Sequence, residues 1–229
     1  MVLFILFNGG GLSKEQWYKN PFTQTKTSFV SKLKKLGNVY AYNPIFYNFN
    51  QFTNKFSSSG YDKEFTFKLS DLQLKAHCEK LYDDVKNIDS KFFLISHSRG
   101  HMIALKFAEL YELKITGFIN IDGGYSNEWY LEWLKQDKIK ELKKITNNDL
   151  KNLFGKLENK TDIESTVRSL DQIVKYHMFK QYKLKSLFCF PMIILNNSCL
   201  PDHIDDKNIF MYNFNSALAL SKFQSFESV

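Results

Sequence analysis

A serine with small residues two positions before and two positions after it stands where an apolar run ends. The stretch ISHSRGHMIAL, residues 95–105, carries Ser98 between Ser96 and Gly100. The preceding KFFLIS predicts a buried strand and the following residues predict a helix, so Ser98 falls on a sharp turn that lifts its hydroxyl clear of the backbone. This setting is typical of a nucleophilic serine, G-x-S-x-G, with Ser96 replacing the first glycine. The competing interpretation is a serine that only caps the helix.

A glycine-rich turn follows the first apolar run directly, in FILFNGGGLSKEQW. Backbone N–H groups in such a turn can hold the oxyanion of a tetrahedral intermediate, and we predict that the N–H groups of Gly10 and Arg99 do so. The competing interpretation is a phosphate-binding loop. The turn lacks both the G-x-G-x-x-G spacing and the G-K-[ST] ending of such loops, which disfavours that interpretation.

Short apolar runs alternate along the chain with segments of helical periodicity, which predicts a mostly parallel sheet covered by helices, a three-layer α/β/α sandwich. The runs are rich in Phe, Ile, Leu and Val and show little alternation, as strands buried on both faces do. The predicted strands are Val2–Phe7, Asn38–Tyr42, Lys91–Ser96, Ile115–Ile121, Met192–Leu195 and Asn208–Asn213.

Helical periodicity fills most of the gaps between these runs. The clearest apolar stripe steps by four and three residues through Leu74, Cys78, Leu81, Val85 and Ile88. A second stripe, Ile103, Phe107 and Leu110, follows Ser98. Three further helices are predicted between the fourth and fifth strands, and the polar residues 48–64 are predicted to form a loop.

Several segments, taken in chain order, resemble the α/β-hydrolase family. LFNGGGLSKEQW is similar to the family's oxyanion loop, H-G-x-x-x-S…W, with Asn8 in place of the usual His. GNVYAYNPIFY, the segment around ISHSRGH and then ITGFINIDGG are similar to the strands and the nucleophile elbow that follow, and PMIILNN is similar to the strand before the catalytic acid. The resemblance implies one α/β-hydrolase domain over residues 1–229 that begins at the family's third strand, with a helical lid insertion at about 125–187 and no cofactor.

The family places its catalytic residues in the order Ser, acid, His. The acid normally follows the strand PMIILNN, where Asp202 stands, and in some members it follows the preceding strand, where Asp122 stands. The alternative for Asp122 is a structural carboxylate that caps the loop at the end of its strand. His203 comes after both acids, at the carboxyl edge of the predicted sheet. Because adjacent residues on a chain rarely orient one another, we predict the triad Ser98–His203–Asp122, with Asp202 as the alternative acid.

The position of this histidine departs from the family pattern, because no histidine follows His203 and the last strand comes after it. His177 continues an apolar stripe of the insert, which favours a buried residue of the lid over a base that descends from the lid. His97 and His101, in the turn and in the helix behind it, are predicted to pack. His77, beside the apolar stripe of its helix, is predicted to lie at the surface.

The resemblance implies a serine hydrolase that cleaves a carboxylic ester or thioester of a small molecule through an acyl-Ser98 intermediate. Three aromatic residues of the predicted lid, Trp129, Tyr130 and Trp133, favour an apolar acyl or aromatic substrate, with packing within the lid as the alternative. The competing class is a catalytically degenerate, hydrolase-like protein that keeps the fold and binds a ligand or a partner.

The composition argues against several other classes. The formal charge is +7, but all except two of the 31 basic residues are lysines, whereas nucleic-acid recognition favours arginine. We therefore predict no nucleic-acid partner. The three cysteines are widely spaced, which favours a reducing compartment, and we predict a cytoplasmic location. The N-terminal apolar run is short and no later run reaches roughly 18 residues, so we predict no signal peptide and no membrane span. The loop PDHIDD is predicted to be solvated and not a metal site.

Overall fold

The computed structural model describes residues 1–9, 14–19, 25–42, 69–123, 127–159, 161–182, 189–196 and 209–213. At its centre lies one sheet of six parallel strands in the order β2-β1-β3-β4-β5-β6. The strands are β1 Val2–Phe7, β2 Asn38–Tyr42, β3 Lys91–His97, β4 Ile115–Ile121, β5 Met192–Asn196 and β6 Ile209–Asn213. All six predicted strands are confirmed, and no strand end differs from its prediction by more than one residue.

The register of the sheet fixes which strand ends lie side by side. Phe7, the last residue of β1, pairs with Tyr42 on one side and with Ser96 on the other. On β3 and β4, His97 pairs with Ile121, so both strands end at the same level. Because the strands are parallel, the turns that follow them start from a single edge of the sheet, which is where open α/β sheets bind ligands.

Helices lie on both faces of the sheet, so the predicted three-layer α/β/α architecture is confirmed. The helices are α1 Phe29–Leu33, α2 Leu74–Val85, α3 His101–Leu110, α4 Asn127–Lys135, α5 Asp137–Lys140, α6 Asn147–Glu158 and α7 Ile163–Gln181. Single turns of 3₁₀ helix are Lys14–Trp17, Leu69–Leu72, Ser98–Gly100, Glu112–Lys114 and Glu141–Lys144.

The larger core forms where α2 and α3 pack on one face of the sheet. The first four residues of the predicted α2 stripe are all fully buried, which confirms the periodicity. On α3, Ile103 and Phe107 are fully buried too, but Leu110 is 38% exposed because the helix has passed the edge of the core by its last turn. Phe107 packs its ring against Phe7 and Phe92 of the sheet, with ring centroids 6.3 and 6.0 Å apart.

A smaller core covers the opposite face, where α1 and the Lys14–Trp17 turn lie. Trp17 stacks on Phe29 with ring centroids 5.5 Å apart, and Val30 is buried beside them against Phe4 and Leu6 of β1. These contacts hold the segment after the glycine-rich turn against the sheet.

The helical insert, α4 to α7, lies between β4 and β5 and joins the larger core. Its first predicted helix is interrupted at Gln136, whose backbone is extended, and continues as α5 and a 3₁₀ turn. Thr146 begins α6 with a capping box, in which its hydroxyl accepts from the N–H of Asp149 and the Asp149 carboxylate accepts from the N–H of Thr146. Trp133 packs edge-on against Phe179 of α7, with ring centroids 4.8 Å apart.

His77 of α2 is buried, so the prediction that it lies at the surface is wrong. It is 3% exposed, and its Nδ1 shares a hydrogen bond of 2.9 Å with the hydroxyl of Tyr42, which is itself buried at the end of β2. The Tyr42 hydroxyl gives His77 a polar partner inside the core, which an apolar stripe in the sequence does not reveal. Burial lowers the pKa of His77 from 6.5 to about 4.

Some expectations concern residues outside the described part of the chain, among them the polar loop at residues 48–64 and the acidic loop PDHIDD. Across the residues that are described, no helix is both long enough and apolar enough to cross a bilayer. Within the same residues, no three His, Cys, Asp or Glu side chains lie together as metal ligands would.

We expect His77 to make the fold sensitive to mild acid. An unfolded histidine takes up a proton near pH 6.5, whereas folded His77 stays neutral down to about pH 4. Unfolding therefore binds a proton between these values, and this residue's contribution to the free energy of unfolding falls as the pH drops. We compare the fall in the free energy of unfolding between pH 7 and pH 5, measured by urea unfolding. This fall should be about 2 kcal/mol smaller in His77→Gln, whose side chain does not titrate, than in the unmodified protein. Equal losses in both proteins would contradict a neutral, buried His77.

Candidate active site

Ser98 occupies a backbone conformation that non-glycine residues rarely adopt. Its φ is +48°, in the left-handed region, directly after the end of β3. From there the chain enters the 3₁₀ turn Ser98–Gly100 and continues into α3. The positions that cap this turn and α3 are His97 and Gly100, and Ser98 is neither. Ser98 therefore does not stand at a capping position of either element, and a positive φ directly after a central strand is what the nucleophile-elbow pattern predicts.

Gly100 permits the sharp return of the chain toward the sheet. A Cβ built on Gly100 would lie 2.7 Å from the carbonyl oxygen of Phe7 and closer still to that of Asn8, which no real side chain could do without a shift. The backbone of Gly100 itself is ordinary helical, with φ −58°. Glycine is therefore needed here for close packing of the turn against the end of β1, as the sequence pattern predicts.

Gly9, which follows β1 on the neighbouring strand, lies close to Ser98. A Cβ on Gly9 would lie 2.7 Å from Nδ1 of His97 and 3.4 Å from Cβ of Ser98. The N–H of Gly9 donates to Oε1 of Gln16 at 3.0 Å, so Gln16 holds Gly9 in place and this N–H is already engaged. Gly10, the predicted donor, lies outside the described residues.

Asp122 ends β4 in the same manner as Ser98 ends β3. Its φ is +52°, its side chain is exposed, and its N–H donates to the carbonyl oxygen of Leu195 on β5. Since His97 pairs with Ile121, Ser98 and Asp122 each stand one residue beyond paired positions on adjacent strands. The structure therefore brings the predicted nucleophile and the predicted acid to neighbouring points on one edge of the sheet.

A buried polar network connects these two turns, and the sequence interpretation did not include it. The Ser96 hydroxyl donates to Oδ1 of Asn120 at 3.1 Å, and Nδ2 of Asn120 donates to the carbonyl oxygen of Gly123 at 3.1 Å. Ser96 and Asn120 are fully buried. The available signal was the single amide in the apolar strand ITGFINI, because a buried amide requires partners.

The two histidines nearest Ser98 are enclosed by protein. Nδ1 of His101 donates to the carbonyl oxygen of Ser98 at 2.7 Å, which fixes its tautomer and supports the strained residue. Burial lowers the pKa of both His97 and His101 to about 4. Nδ1 of His97 has no hydrogen-bond partner among the described residues and faces Gly9. Both rings thus serve as neutral packing groups, as predicted.

His177 lies in α7 of the insert and is half-buried, so it is less enclosed than the buried residue that its apolar stripe predicts. Its Nε2 is enclosed and has no hydrogen-bond partner within the described part of the chain. Burial, and to a smaller extent the charge of Lys180, lower the pKa of His177 below its usual value. The ring stands edge-on to that of Tyr176, with centroids 5.2 Å apart.

Two of the predicted catalytic residues lie outside the described residues, namely His203 and the alternative acid Asp202. Both belong to the connection from the end of β5 to the start of β6. The predicted triad is therefore described at two of its three positions. The backbone of Arg99, the second predicted oxyanion donor, lies in the first turn after Ser98.

We expect an alanine at position 100 to destabilise the protein and an alanine at position 155 to leave it stable. Gly100→Ala should lower the free energy of unfolding by about 1–3 kcal/mol, because its methyl group must push the turn away from β1. Gly155→Ala in α6 is the matched control, since nothing lies within 4 Å of its added Cβ and alanine favours helix by up to about 1 kcal/mol. Urea unfolding of both variants gives the comparison. Equal stability in the two would contradict the close approach at Gly100.

Comparisons with known proteins find the same fold at low sequence identity. No family model and no curated protein matches the sequence. Among solved structures, the chain is similar to a thioesterase of the prodiginine biosynthetic pathway in Streptomyces coelicolor, with a TM-score of 0.56 and 8% identity over 98% of this chain and 89% of that one. A lipase-esterase related protein from Clostridium acetobutylicum gives a TM-score of 0.51 and 12% identity, over 98% of this chain and 94% of that one.

An extracellular α/β-hydrolase from a Paenibacillus species gives a TM-score of 0.50 and 15% identity, over 98% of this chain and 99% of that one. At such identities the likeness concerns the fold alone. The chain therefore has the α/β-hydrolase fold, as its resemblance in sequence implied.

Proposed function

We propose that this protein is a serine hydrolase that cleaves a carboxylic ester or thioester through an acyl-Ser98 intermediate. The observation that carries the proposal is the left-handed turn of Ser98 at the carboxyl end of a central strand, with Gly100 packed against β1. A strained residue of this kind persists only where surrounding contacts hold it, and such residues concentrate at active sites.

The proposed reaction uses Ser98 as the nucleophile and His203 as the base. Oγ of Ser98 attacks the acyl carbon as His203 takes its proton, and the carbonyl oxygen becomes an oxyanion bound by the N–H groups of Gly10 and Arg99. The intermediate then breaks its bond to the alcohol or thiol, which leaves with the proton from His203. Water, deprotonated by His203, attacks the acyl-serine, the bond between the acyl carbon and Oγ breaks, and His203 returns the proton to Ser98 as the carboxylic acid is released.

Asp122 is the proposed acid that orients His203. Its position one residue beyond Ile121, which pairs with His97, supports a role beside Ser98. Its side chain is exposed at the edge of the sheet. Asp202 is the alternative acid, but it precedes His203 directly in the chain and is poorly suited to orient that ring.

The substrate class rests on the fold and on the helical insert. The structurally similar proteins include a thioesterase and a lipase-esterase related protein, which favours an acyl substrate with an oxygen or sulfur leaving group. We propose that α4 to α7 form a lid over the carboxyl edge of the sheet. Trp133 packs with Phe179 within the insert, which supports the packing role for this aromatic residue. The side chains of Trp129 and Tyr130 lie outside the described residues.

A second candidate function is a non-catalytic binding protein with a hydrolase fold. It is favoured by one observation, that no histidine stands among residues 214–229, which follow β6, the last strand of the described residues, where the family resemblance would place the base. Such a protein would keep the Ser98 turn and bind an acyl ligand without forming an acyl-enzyme.

We expect a fluorophosphonate probe to label the protein covalently at Ser98, because the probe reacts with activated serines and not with ordinary hydroxyls. Ser98→Ala should abolish the labelling, while Ser169→Ala, which changes an exposed hydroxyl on α7, should leave it intact. Intact-mass measurement before and after reaction gives the result. A folded protein that does not react would contradict the hydrolase and favour the binding protein.

Four variants should identify which histidine is the base and which aspartate is the acid. His203→Ala and Asp122→Asn should each slow labelling and ester hydrolysis on the order of a thousandfold, because each removes one member of the triad. His177→Ala and Asp202→Asn are the matched controls and should retain most of the activity. Rates of 4-nitrophenyl acetate hydrolysis provide the measurement. If His177→Ala loses far more activity than His203→Ala, the base is His177; if Asp202→Asn loses far more than Asp122→Asn, the acid is Asp202.

A further inference from the structure

We propose that the Ser96 hydroxyl is a positioning group that ties the turn of Ser98 to the turn of Asp122 through the side chain of Asn120. Ser96 stands where the sequence pattern has glycine, and packing alone would require only that it be small. The inference assigns its hydroxyl a function of its own. It rests on the proposed function in one respect, because it takes Ser98 and Asp122 as the groups to be positioned.

The hydrogen bonds of Asn120 can run in only one direction. The carbonyl oxygen of Gly123 can only accept, so the atom of Asn120 that faces it at 3.1 Å is the amide nitrogen. The amide oxygen therefore faces Ser96, and the Ser96 hydroxyl is the donor in the second bond of 3.1 Å. Asn120 thus links β3, two residues before Ser98, to the carbonyl that follows Asp122.

His101 and Gly123 form a second connection between the two turns. A Cβ on Gly123 would lie 2.7 Å from Cβ and Cγ of His101, and it would also collide with Oδ1 of Asn120. His101 in turn donates to the carbonyl oxygen of Ser98 at 2.7 Å. The turn after β4 is therefore held between Asn120 and His101, and both of these side chains lead back to the segment around Ser98.

The connected residues include two in the left-handed region, Ser98 with φ +48° and Asp122 with φ +52°. Backbone of this kind relaxes unless neighbouring contacts determine it. Because Ser96 and Asn120 are both fully buried, water cannot replace the bond between them without entering the core. Loss of the Ser96 hydroxyl should let the two turns shift relative to each other, and small displacements of reacting groups slow catalysis strongly.

The experiment compares Ser96→Gly and Ser96→Ala, which both satisfy the packing requirement but lack the hydroxyl. We expect each to lower the fluorophosphonate labelling rate and the kcat for 4-nitrophenyl acetate about tenfold or more, with KM unchanged. Asn120→Ala should have a similar effect, and Ser96→Ala combined with it should add nothing further. Thr116→Val is the matched control and should leave both rates unchanged. The Thr116 hydroxyl donates to the Phe92 carbonyl oxygen at 3.0 Å, so it also joins β4 to β3, but at the opposite end of the strands.

Hydrogen exchange of the full chain gives a second readout that does not depend on activity. The N–H of Asp122 donates to Leu195, so we expect it to exchange faster in Ser96→Ala than in the unmodified protein or in Thr116→Val. If the unmodified protein is not labelled but this faster exchange is seen, the proposed function fails and the tie between the turns stands. Unchanged exchange at Asp122 overturns the tie, whatever the labelling. If the unmodified protein is labelled and both Ser96 variants match its rate, the tie is likewise overturned and the hydrolase stands.

Discussion

The left-handed conformation of Ser98 is the constraint on which the rest of the site depends. It turns the chain back at the end of β3, so that α3 can pack against the face of the sheet. This return is possible only because Gly100 lets the backbone contact the last residues of β1. The turn thus links the packing of α3 on the larger core with the close approach of Gly9, the residue two positions after β1, to Ser98.

The parallel sheet extends this constraint to a second strand. Strands β3 and β4 end at the same level, and each is followed by a residue with positive φ. Apolar packing resists small displacements of two such residues, but it sets no preferred direction for the contact between them. Buried hydrogen bonds are directional, and their loss inside the core is costly, so the contact between Ser96 and Asn120 specifies the geometry more sharply than apolar packing does.

The sequence predicted the architecture well because the strands are buried on both faces and therefore read as uninterrupted apolar runs. It also predicted the turn at Ser98, since the glycine two residues later has a steric purpose that the structure confirms. Polar residues inside the core were the weak point. Apolar periodicity shows which side of a helix faces inward, but the partners of His77 and Asn120 come from other strands, and no local pattern announces a hydrogen bond across the sheet.

The described histidines also bear on the choice of base. A general base must be neutral before the reaction and must accept a proton during it, which requires a pKa near the working pH. His77, His97 and His101 are all held near a pKa of about 4 by burial, so each would accept a proton only at a large cost in free energy. His101 additionally has its Nδ1 engaged by the Ser98 carbonyl. The burial of these three histidines therefore makes each of them a poor base, and the proposed mechanism draws its base from the other two histidines of the sequence, His203 or His177.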